Sequence, residues 1–453
     1  MILLRAHEVE KAWGAEQWLN STRPEGRATL AEAPGGTLAE LLAAEPALLG
    51  EWSRRLYGDE LPIFTKLIRT DFPPLVHVGF RRAMDRTTLV GWLAREQALL
   101  RQIFAALDFG SRDTFERFAS IYSTWATLQA GARWLHDDDA AIAEQLSAFA
   151  RACGGRRLGE WIGQLRRNRA QLVDALNEVD LRREEGNLLL TSAGIVHAIF
   201  GLSHQTHPLD GTRAALESLL ARLKRLARAG GSDDELRALA DAERLPELRA
   251  RNRGAPKNEA WLPATVDGKL VLVEPQQTSD TTYSLADFYT PFVWSAADGR
   301  ARFRKGHAAH GLGSDELMAY LDAVDFSATS IDRIRRAPVN VGCSHRDAAV
   351  YRLVDEPADW PFFTAYRIDL DGKAAAPSTL GGDHAPGVFQ QLVVLRGTVE
   401  IADAHGRRAT LDSRAPAFIP ATLEGGYQLS SEGAASVLVF SVPSPRAGCP
   451  HDV

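Results

Sequence analysis

The sequence has very few cysteines, and their positions argue against both disulfide bonds and a cysteine-ligated zinc site. Cys153, Cys343 and Cys449 are far apart in the chain and odd in number. A disulfide framework is therefore not expected, nor is a thiolate zinc site, because that site needs closely spaced pairs. Ordinary reduced thiols of a cytoplasmic protein are the expectation.

Long apolar runs and basic runs are also missing. Nowhere do about eighteen apolar residues follow one another, so no membrane-spanning helix is expected. The first residues reach a charge at Arg5 and lack the apolar core of a signal peptide. The formal net charge is −6 and Lys and Arg do not cluster, so we do not expect a nucleic-acid partner. The missing apolar runs lead us to expect no membrane partner and a cytoplasmic location.

The chain of 453 residues, 45% hydrophobic and 24% charged, has the balance of a soluble globular protein with two or three structural units. Residues 60–80 contain short apolar runs broken by a proline pair, which favour strands. Proline is then absent from 87 to 180, and apolar residues recur at three- and four-residue steps, as in a helical bundle.

Strand character returns at 187–201, and a second helical block follows at 212–248, where Ser232 and Glu235 have the spacing of a capping box. Residues 257–283 predict strands joined by a hairpin at Val266, Asp267 and Gly268. After a short predicted helix at Asp315–Val324, the chain from Val339 onward again consists of short alternating strands. The predicted fold is mainly β (α+β), with two β units and helical insertions.

Two histidines lie within predicted strands. His77 stands between Val76 and Val78, and His197 stands between Val196 and Ala198. Each could be a hydrogen-bonded core or rim residue, or a metal ligand, and neither pattern decides between the two.

Two carboxylates interrupt otherwise apolar strands at Glu259 and Glu274. A buried carboxylate needs a cationic partner, a metal ion or a shifted pKa, because burying an unpaired charge is costly. Two imidazoles and a carboxylate with an open fourth position would form a catalytic zinc arrangement. His204 and His207 are further candidate ligands in a predicted loop, and pairing of the carboxylates with Lys257 or an arginine is the alternative.

Several segments together resemble type I mannose-6-phosphate isomerases. LVLVEPQQTSDTTY resembles that family's hydrophobic-E-x-Q-Q-x-S-D-x-T-Y strand and turn, and it is the specific motif. LLLTSAGIVHAIFG, KNEAW, KAWG, GGTLAELL and LPIFTKLI are similar to further family segments. FQQLVVLRGTVEI through FIPA is similar to the family's second cupin domain, so the resemblance touches nearly the whole chain.

The resemblance implies a bicupin, that is, two jelly-roll-like barrels with a helical domain inserted in the first. It implies a metal-binding cupin at 1–82 and 183–305, helical insertions at 83–182 and 212–250, and a C-terminal cupin at 339–453. The implied ligands of zinc, or of another divalent transition metal, are His77, His197 and Glu259. The implied catalytic residues are Glu274 and Lys257, and the implied substrate-binding residues are Lys66, Gln276, Asp280, Arg302 and Arg304.

The sequence departs from the family pattern at the metal site. His77 takes the position of the family's glutamine in Q-V-H-P, and Gly79 replaces its histidine. Positions 77 and 79 share a strand face, so His77 could restore the lost imidazole. KNEAW also follows His197 here, whereas the family places that strand earlier in the chain. If Glu259 does not fill the same place, Glu274 could take its role.

Two cations of the family pattern are missing as well. Ser284 stands where the family has an arginine, and Phe292 stands where it has a lysine. Their loss removes charge stabilisation from a pocket that must hold a phosphorylated, enolising sugar. Arg302, Arg304 and Lys305 could substitute for them, or could form a solvated charged edge.

Two functions follow as hypotheses. The first is a metal-dependent aldose–ketose isomerase that acts on mannose 6-phosphate, fructose 6-phosphate or a related sugar through a cis-enediol. The second is a metal-binding cupin that has lost this chemistry and binds another sugar or a regulatory ligand. Gly79, Ser284 and Phe292 favour the second, and the retained QQTSD turn favours the first.

Overall fold

The computed structural model describes most of the chain, with gaps. The described residues are 1–11, 14–70, 75–80, 107–131, 136–152, 157–191, 196–199, 204–206, 213–243, 258–278, 283–286, 292–303, 331–341, 348–354, 360–372, 378–382, 387–413 and 415–445, with scattered positions between 87 and 105. The three cysteines, His207, Lys305 and the predicted helix at Asp315–Val324 lie outside these residues.

The described part of the chain is mainly β sheet, which confirms the mainly β part of the predicted fold. The strands in chain order are β1 Ile2–Arg5, β2 His7–Lys11, β3 Gly14–Trp18, β4 Thr29–Leu30, β5 Ile63–Thr70, β6 Leu75–Phe80, β7 Leu176–Asp180, β8 Leu188–Thr191, β9 Val196–Ile199, β10 His204–Thr206, β11 Glu259–Val266, β12 Lys269–Gln277 and β13 Tyr283–Ala286. They continue with β14 Phe292–Ser295, β15 Arg300–Phe303, β16 Arg335–Arg336, β17 Val339–Asn340, β18 Ala348–Val354, β19 Thr364–Asp371, β20 Ser378–Gly382, β21 Gln390–Arg396, β22 Val399–Asp403, β23 Arg408–Leu411, β24 Ala417–Ile419, β25 Tyr427–Ser431 and β26 Ala434–Ser441.

Helices fall between these strands. They are α1 Leu38–Ala44, α2 Glu51–Tyr57, α3 Arg112–Gly131, α4 His136–Ala152, α5 Leu158–Ala175, α6 Arg213–Arg228, α7 Asp233–Ala242 and α8 Ile331–Ile334, with 3-10 helices at Pro46–Leu49 and Leu181–Glu184. None of the helices in the described part of the chain combines the length and apolar character that crossing a lipid bilayer requires.

Four larger sheets are built from the strands. The seven-stranded sheet has the order β16-β8-β11-β12-β5-β3-β2, and the five-stranded sheet has the order β13-β10-β9-β6-β7. The eight-stranded sheet runs β17-β18-β19-β26-β21-β24-β1-β4, and the four-stranded sheet runs β20-β25-β22-β23. A separate hairpin pairs β14 with β15.

Three apolar clusters define how these sheets stack. Trp261 and Leu272 of the seven-stranded sheet pack in one cluster with Val179 of the five-stranded sheet. The opposite face of the seven-stranded sheet shares the largest cluster with the eight-stranded sheet and with helices α1, α2, α6 and α7. The third cluster lies between the eight-stranded and four-stranded sheets. The four sheets therefore stack as layers in the order five, seven, eight and four strands.

Local signals in the sequence agree with the structure at two places. Asp267 and Gly268 both have positive φ, 51° and 74°, between the antiparallel partners β11 and β12. This is the backbone that a tight hairpin requires. The capping box of Ser232 and Glu235 is also present, at the start of α7.

Long-range pairing differs from what the sequence suggested in two places. Residues 176–180 end the stretch read as helical, yet they form β7 and pair with β6. β1 belongs to the N-terminal segment assigned to the first β unit, yet it pairs with β24 in the eight-stranded sheet. The domain boundaries stay a prediction.

Candidate functional site

Four residues singled out from the sequence lie on one face of the seven-stranded sheet. Glu259 pairs directly with Gln276 across β11 and β12, and Glu274 pairs directly with Lys66 across β12 and β5. Directly paired residues, and residues two apart on a strand, share a face. The ladder register therefore brings Glu259, Gln276, Glu274 and Lys66 together.

This face is the one turned toward the five-stranded sheet. Trp261 stands two residues after Glu259, and Leu272 stands two residues before Glu274, and both belong to the cluster that includes Val179 of β7. Glu259 and Gln276 are 0% exposed, Glu274 is 2% exposed and Lys66 is 4% exposed. Two carboxylates, an amide and an ammonium group are thus buried between two sheets, where charges interact more strongly than in water.

The ammonium group of Lys66 is placed by a carboxylate and two aromatic rings. Its Nζ lies 3.8 Å from Oε1 of Glu274. The same nitrogen is 5.3 Å from the ring centroid of Phe64 and 5.9 Å from that of Trp18. A cation at such a distance from an aromatic face is attracted by the ring quadrupole. Glu274 and the two rings therefore fix the position of this positive charge.

The surrounding shell contains residues that the sequence did not single out. Trp18 pairs with Lys66 across β3 and β5, and its Nε1 donates to Oε2 of Glu16 at 2.8 Å. The alternation of Glu16 and Trp18 in GAEQW was the signal that could have indicated them. Arg23 is 7% exposed and donates through Nη1 to the carbonyl oxygen of Thr278 at 3.3 Å. Nothing local in the sequence indicates this contact.

The two histidine-bearing strands are neighbours in the five-stranded sheet. In the β6–β9 ladder, Val78 is opposite His197, and His77 is opposite Ala198. In the β6–β7 ladder, Val76 is opposite Val179, and the register shifts between His77 and Phe80. By register, positions 76, 78, 197 and 199 share the face of Val179, and position 77 falls on the other face.

The predicted ligand set of His77, His197 and Glu259 stays a prediction. The histidine side chains lie outside what the structure describes, although their backbones do not. Among the residues whose side chains are described, no group of three or more His, Cys, Asp or Glu forms a metal-binding cluster. The carboxylate of Glu259 is fully buried and is of the donor type that zinc takes alongside imidazole, so Glu259 fits the predicted metal.

Of the remaining predicted residues, the structure describes Arg302. Lys257, Asp280 and Arg304 lie outside the described residues. Arg302 lies on the separate β14–β15 hairpin, forms an ion pair with Asp298, and has 62% of its side chain exposed. Its role in substrate binding stays a prediction.

Comparisons with known proteins give only distant similarity. No model of a protein family matches the chain, and no curated protein matches its sequence. Among solved structures, the mannose 6-phosphate isomerase of Bacillus subtilis aligns over 97% of this chain and 98% of its own, with a TM-score of 0.46 and 12% identity.

Two further solved structures align over similar lengths. A histidine-to-alanine variant of the phosphomannose isomerase of Salmonella typhimurium covers 98% of this chain and 100% of its own, with a TM-score of 0.45 and 13% identity. A zinc-bound mannose 6-phosphate isomerase aligns over 98% of this chain and 99% of its own, with a TM-score of 0.44 and 13% identity. These similarities are too distant to assign the chain to a family or an activity.

Proposed function

We propose that the protein is a metal-dependent aldose–ketose isomerase that interconverts mannose 6-phosphate and fructose 6-phosphate, or a related pair of sugars. The observation that carries the proposal is the register that buries Glu259, Gln276, Glu274 and Lys66 together on one sheet face. Burying two carboxylates and an ammonium group costs folding free energy, so a functional role accounts for their presence better than stability does.

The proposed metal is zinc, or another divalent transition metal, held by Glu259 and His197 with His77 as the third ligand. When bound, the metal would polarise the carbonyl and hydroxyl oxygens of the sugar as a Lewis acid. Glu259 supports this role because its carboxylate is fully buried on the face turned toward the sheet that carries β9. His77 has weaker support, because its register position differs from that of His197.

The proposed proton transfer between C1 and C2 uses Glu274 or Lys257 as the base, through a cis-enediol. Glu274 supports this role because it is 2% exposed and its Oε1 lies 3.8 Å from the ammonium nitrogen of Lys66. A carboxylate acts as a general base only when it is ionised at the working pH. Lys66 is the cation beside this carboxylate, so it would be the counter-charge of Glu274 when Glu274 is ionised.

The proposed substrate contacts come from Lys66, Gln276 and Asp280, with Arg302 and Arg304 as further candidates. Lys66 and Gln276 lie beside the proposed metal ligand and base. The family's arginine and lysine are replaced here by Ser284 and Phe292. Lys66 lies on this face, and its positive charge would stabilise the substrate in their place. Arg302 has weak support because Asp298 already pairs with it.

The proposed architecture for this function is the bicupin. The five- and seven-stranded sheets would form the metal-binding barrel, and the four- and eight-stranded sheets would form the second barrel. Helices α3, α4 and α5 fall between β6 and β7 along the chain, and α6 and α7 fall between β10 and β11. This order supports two helical insertions within the first barrel.

The second candidate function is a metal-binding cupin without isomerase activity that binds another sugar or a regulatory ligand. The observation that favours it is the uncharged Ser284 on β13, in place of an arginine, in the same sheet as β6 and β9. Such a protein would keep the metal and lose the charge that a phosphorylated sugar needs.

An assay with matched substrates separates the two functions. Zinc-loaded protein is incubated with mannose 6-phosphate, fructose 6-phosphate, mannose or fructose, and the aldose–ketose ratio is followed by NMR. The isomerase predicts interconversion of the phosphorylated pair, at a rate reduced at least about tenfold in Glu274→Gln. Stoichiometric zinc with no interconversion of any of the four sugars would reject the isomerase and leave the metal-binding cupin.

A further inference from the structure

A cleft of about 940 Å³ opens between the seven-stranded and eight-stranded sheets. On one side it is lined by Glu185, Gly186 and residues 262–265 of β11. On the other side it is lined by residues of β18, β19, β21 and β26. Its part of β11, residues 262–265, begins three residues along the strand from Glu259, or roughly 10 Å at the usual rise, and Leu262 and Ala264 point to the opposite face of the strand from Glu259. The cleft is therefore separate from the candidate metal site.

The polar side chains of the eight-stranded wall share one face by register. Tyr351 pairs with Arg367 across β18 and β19, and Asp369 pairs with Ser436 across β19 and β26. Ala365 stands two residues before Arg367 and belongs to the cluster between the two larger sheets. By alternation, Arg367 and Asp369 face the seven-stranded sheet across the cleft.

These side chains are fixed before any ligand arrives. The guanidinium carbon of Arg367 lies 4.5 Å from the ring centroid of Tyr351, and its Nε lies 3.2 Å from Oδ2 of Asp369. Ser436 donates to the other carboxylate oxygen of Asp369 at 2.7 Å. An arginine and a carboxylate are thus held side by side as a rigid donor and acceptor, which is the arrangement that lowers the entropy cost of binding.

The opposite wall is shaped to accept this arginine. Gly186 has a φ of +81°, and a Cβ atom there would stand 3.1 Å from Nη1 of Arg367. The amide of Gly186 donates to the carbonyl oxygen of Pro263 at 2.9 Å, which fixes the turn against β11. Glu185, the residue before it, accepts a hydrogen bond from Oγ1 of Thr265 at 2.5 Å. Both walls therefore present oriented polar groups.

The charges of the cleft indicate the class of ligand. Its lining holds three carboxylates and two guanidinium groups, which gives 2 − 3 = −1 formally. A net negative lining disfavours an anion such as a sugar phosphate. The guanidinium groups disfavour a cation beside Asp369. A neutral polyhydroxyl compound meets both kinds of group, because each hydroxyl donates to a carboxylate and accepts from a guanidinium.

We propose that this cleft is a binding site for a neutral sugar. The guanidinium of Arg367 and the carboxylate of Asp369, which both line the cleft, bind vicinal hydroxyls of the sugar ring. The side chain of Asp369 is 38% exposed and that of Arg367 is 21% exposed, so both can reach a ligand. The volume lies within the range of about 300–1,000 Å³ that small-molecule sites occupy.

The test uses methyl α-D-mannopyranoside, whose blocked anomeric carbon prevents ring opening and hence isomerisation. Binding to the full-length protein is titrated by saturation-transfer NMR. We expect saturable binding that weakens about tenfold or more in Arg367→Gln and in Asp369→Asn, because each loses a charged hydrogen-bond partner. Arg408→Gln is the matched control, since Arg408 forms an exposed ion pair with Glu400 on the four-stranded sheet. The affinity of this variant for the mannoside should equal that of the wild type.

Two further variants keep the test decisive. Ala434→Trp fills the cleft from its exposed rim without replacing either residue of the Arg367–Asp369 pair, and it should also abolish binding. Glu259→Gln should leave binding unchanged, whether or not the protein is an isomerase. No saturable binding to the wild type, binding that survives Ala434→Trp and Asp369→Asn, or binding that is lost in Glu259→Gln would each overturn the proposal.

Discussion

Lys66 and Glu274 form a buried ion pair between neighbouring strands, with Nζ 3.8 Å from Oε1 and with 6% and 3% of the two side chains exposed. The pair sits on the sheet face that also carries Glu259 and Gln276. Removing one partner leaves the other charge buried without its counter-charge. A buried charge of that kind is far more costly than the pair itself.

Replacing one residue of the pair should therefore lower the free energy of unfolding more, per substitution, than replacing both. Lys66→Met alone should lower the free energy of unfolding by about 3–5 kcal/mol. The double variant Lys66→Met, Glu274→Leu should lose less than the sum of the two single variants, because neither charge of the pair is left buried without the other. Urea unfolding of the four proteins gives the coupling free energy.

The exposed pair of Arg408 and Glu400, at 2.9 Å with 69% and 45% of the side chains exposed, is the matched control. Arg408→Met should change the free energy of unfolding by no more than about 1 kcal/mol. Two results would contradict the view that Lys66 and Glu274 are held at a desolvated site. One is an equal loss of unfolding free energy in Lys66→Met and Arg408→Met. The other is additive losses from the Lys66 and Glu274 substitutions.

Glu259→Gln should lower the zinc content of the protein, because an amide replaces a charged ligand while the side-chain volume is kept. Zinc per chain after dialysis, measured by mass spectrometry, should fall from about one toward zero. Glu432→Gln changes an exposed carboxylate and is the control. Unchanged zinc in Glu259→Gln would remove Glu259 from the ligand set.

Glu184 and Arg335 make the stability of the seven-stranded sheet depend on acid pH. Nε and Nη2 of Arg335 donate to the two carboxylate oxygens of Glu184 at 2.7 and 2.6 Å. The hydrogen bonds from Arg335 hold the pKa of Glu184 below its usual value of 4.5. A lowered pKa contributes stability that is present above the usual pKa and is lost as the pH falls through the folded-state pKa.

Glu184→Gln should therefore be less stable than the wild type near neutral pH, and the difference should shrink as the pH falls below about 4.5. Urea midpoints measured between neutral pH and pH 3 follow that difference. A difference that stays constant over the whole range would contradict the assignment.

A buried amide joins the two larger sheets. Oγ1 of Thr65 donates to Oε1 of Gln391 at 3.0 Å, and Nε2 of Gln391 donates to the carbonyl oxygen of Ile63 at 3.1 Å. Gln391→Leu removes both bonds and should lower the free energy of unfolding by about 1–3 kcal/mol. Gln428→Leu, at an exposed glutamine of β25, is the control and should change the free energy of unfolding little. An equal loss of unfolding free energy in both variants would show that Gln391 does not stabilise the contact between the sheets.

Part of this architecture could be predicted because it depends on local patterns. Glu259 and Glu274 stood out as carboxylates in apolar strands, and the two-residue period of a strand then fixed their face. The hairpin at Asp267 and Gly268 followed from the backbone that the turn requires. Each of these signals lies within a few residues of the feature it predicts.

The remainder depends on contacts between distant segments. Arg335 lies 151 positions from Glu184, and Arg23 lies 255 positions from Thr278. The pairing of β1 with β24 has no local signature, because an alternating strand can complete any sheet with a free edge. The ion pair of Arg302 with Asp298 likewise could not be read from the sequence.

Turnover of mannose 6-phosphate, coupled to the formation of glucose 6-phosphate, tests the proposed isomerase most directly. The protein is stripped of metal and assayed with and without added zinc, beside His197→Ala and Glu259→Gln prepared in the same way. The proposal predicts turnover that appears with zinc in the wild type and falls at least about a hundredfold in both variants. Absence of turnover in wild-type protein that binds zinc stoichiometrically, or turnover that persists without metal, would contradict it.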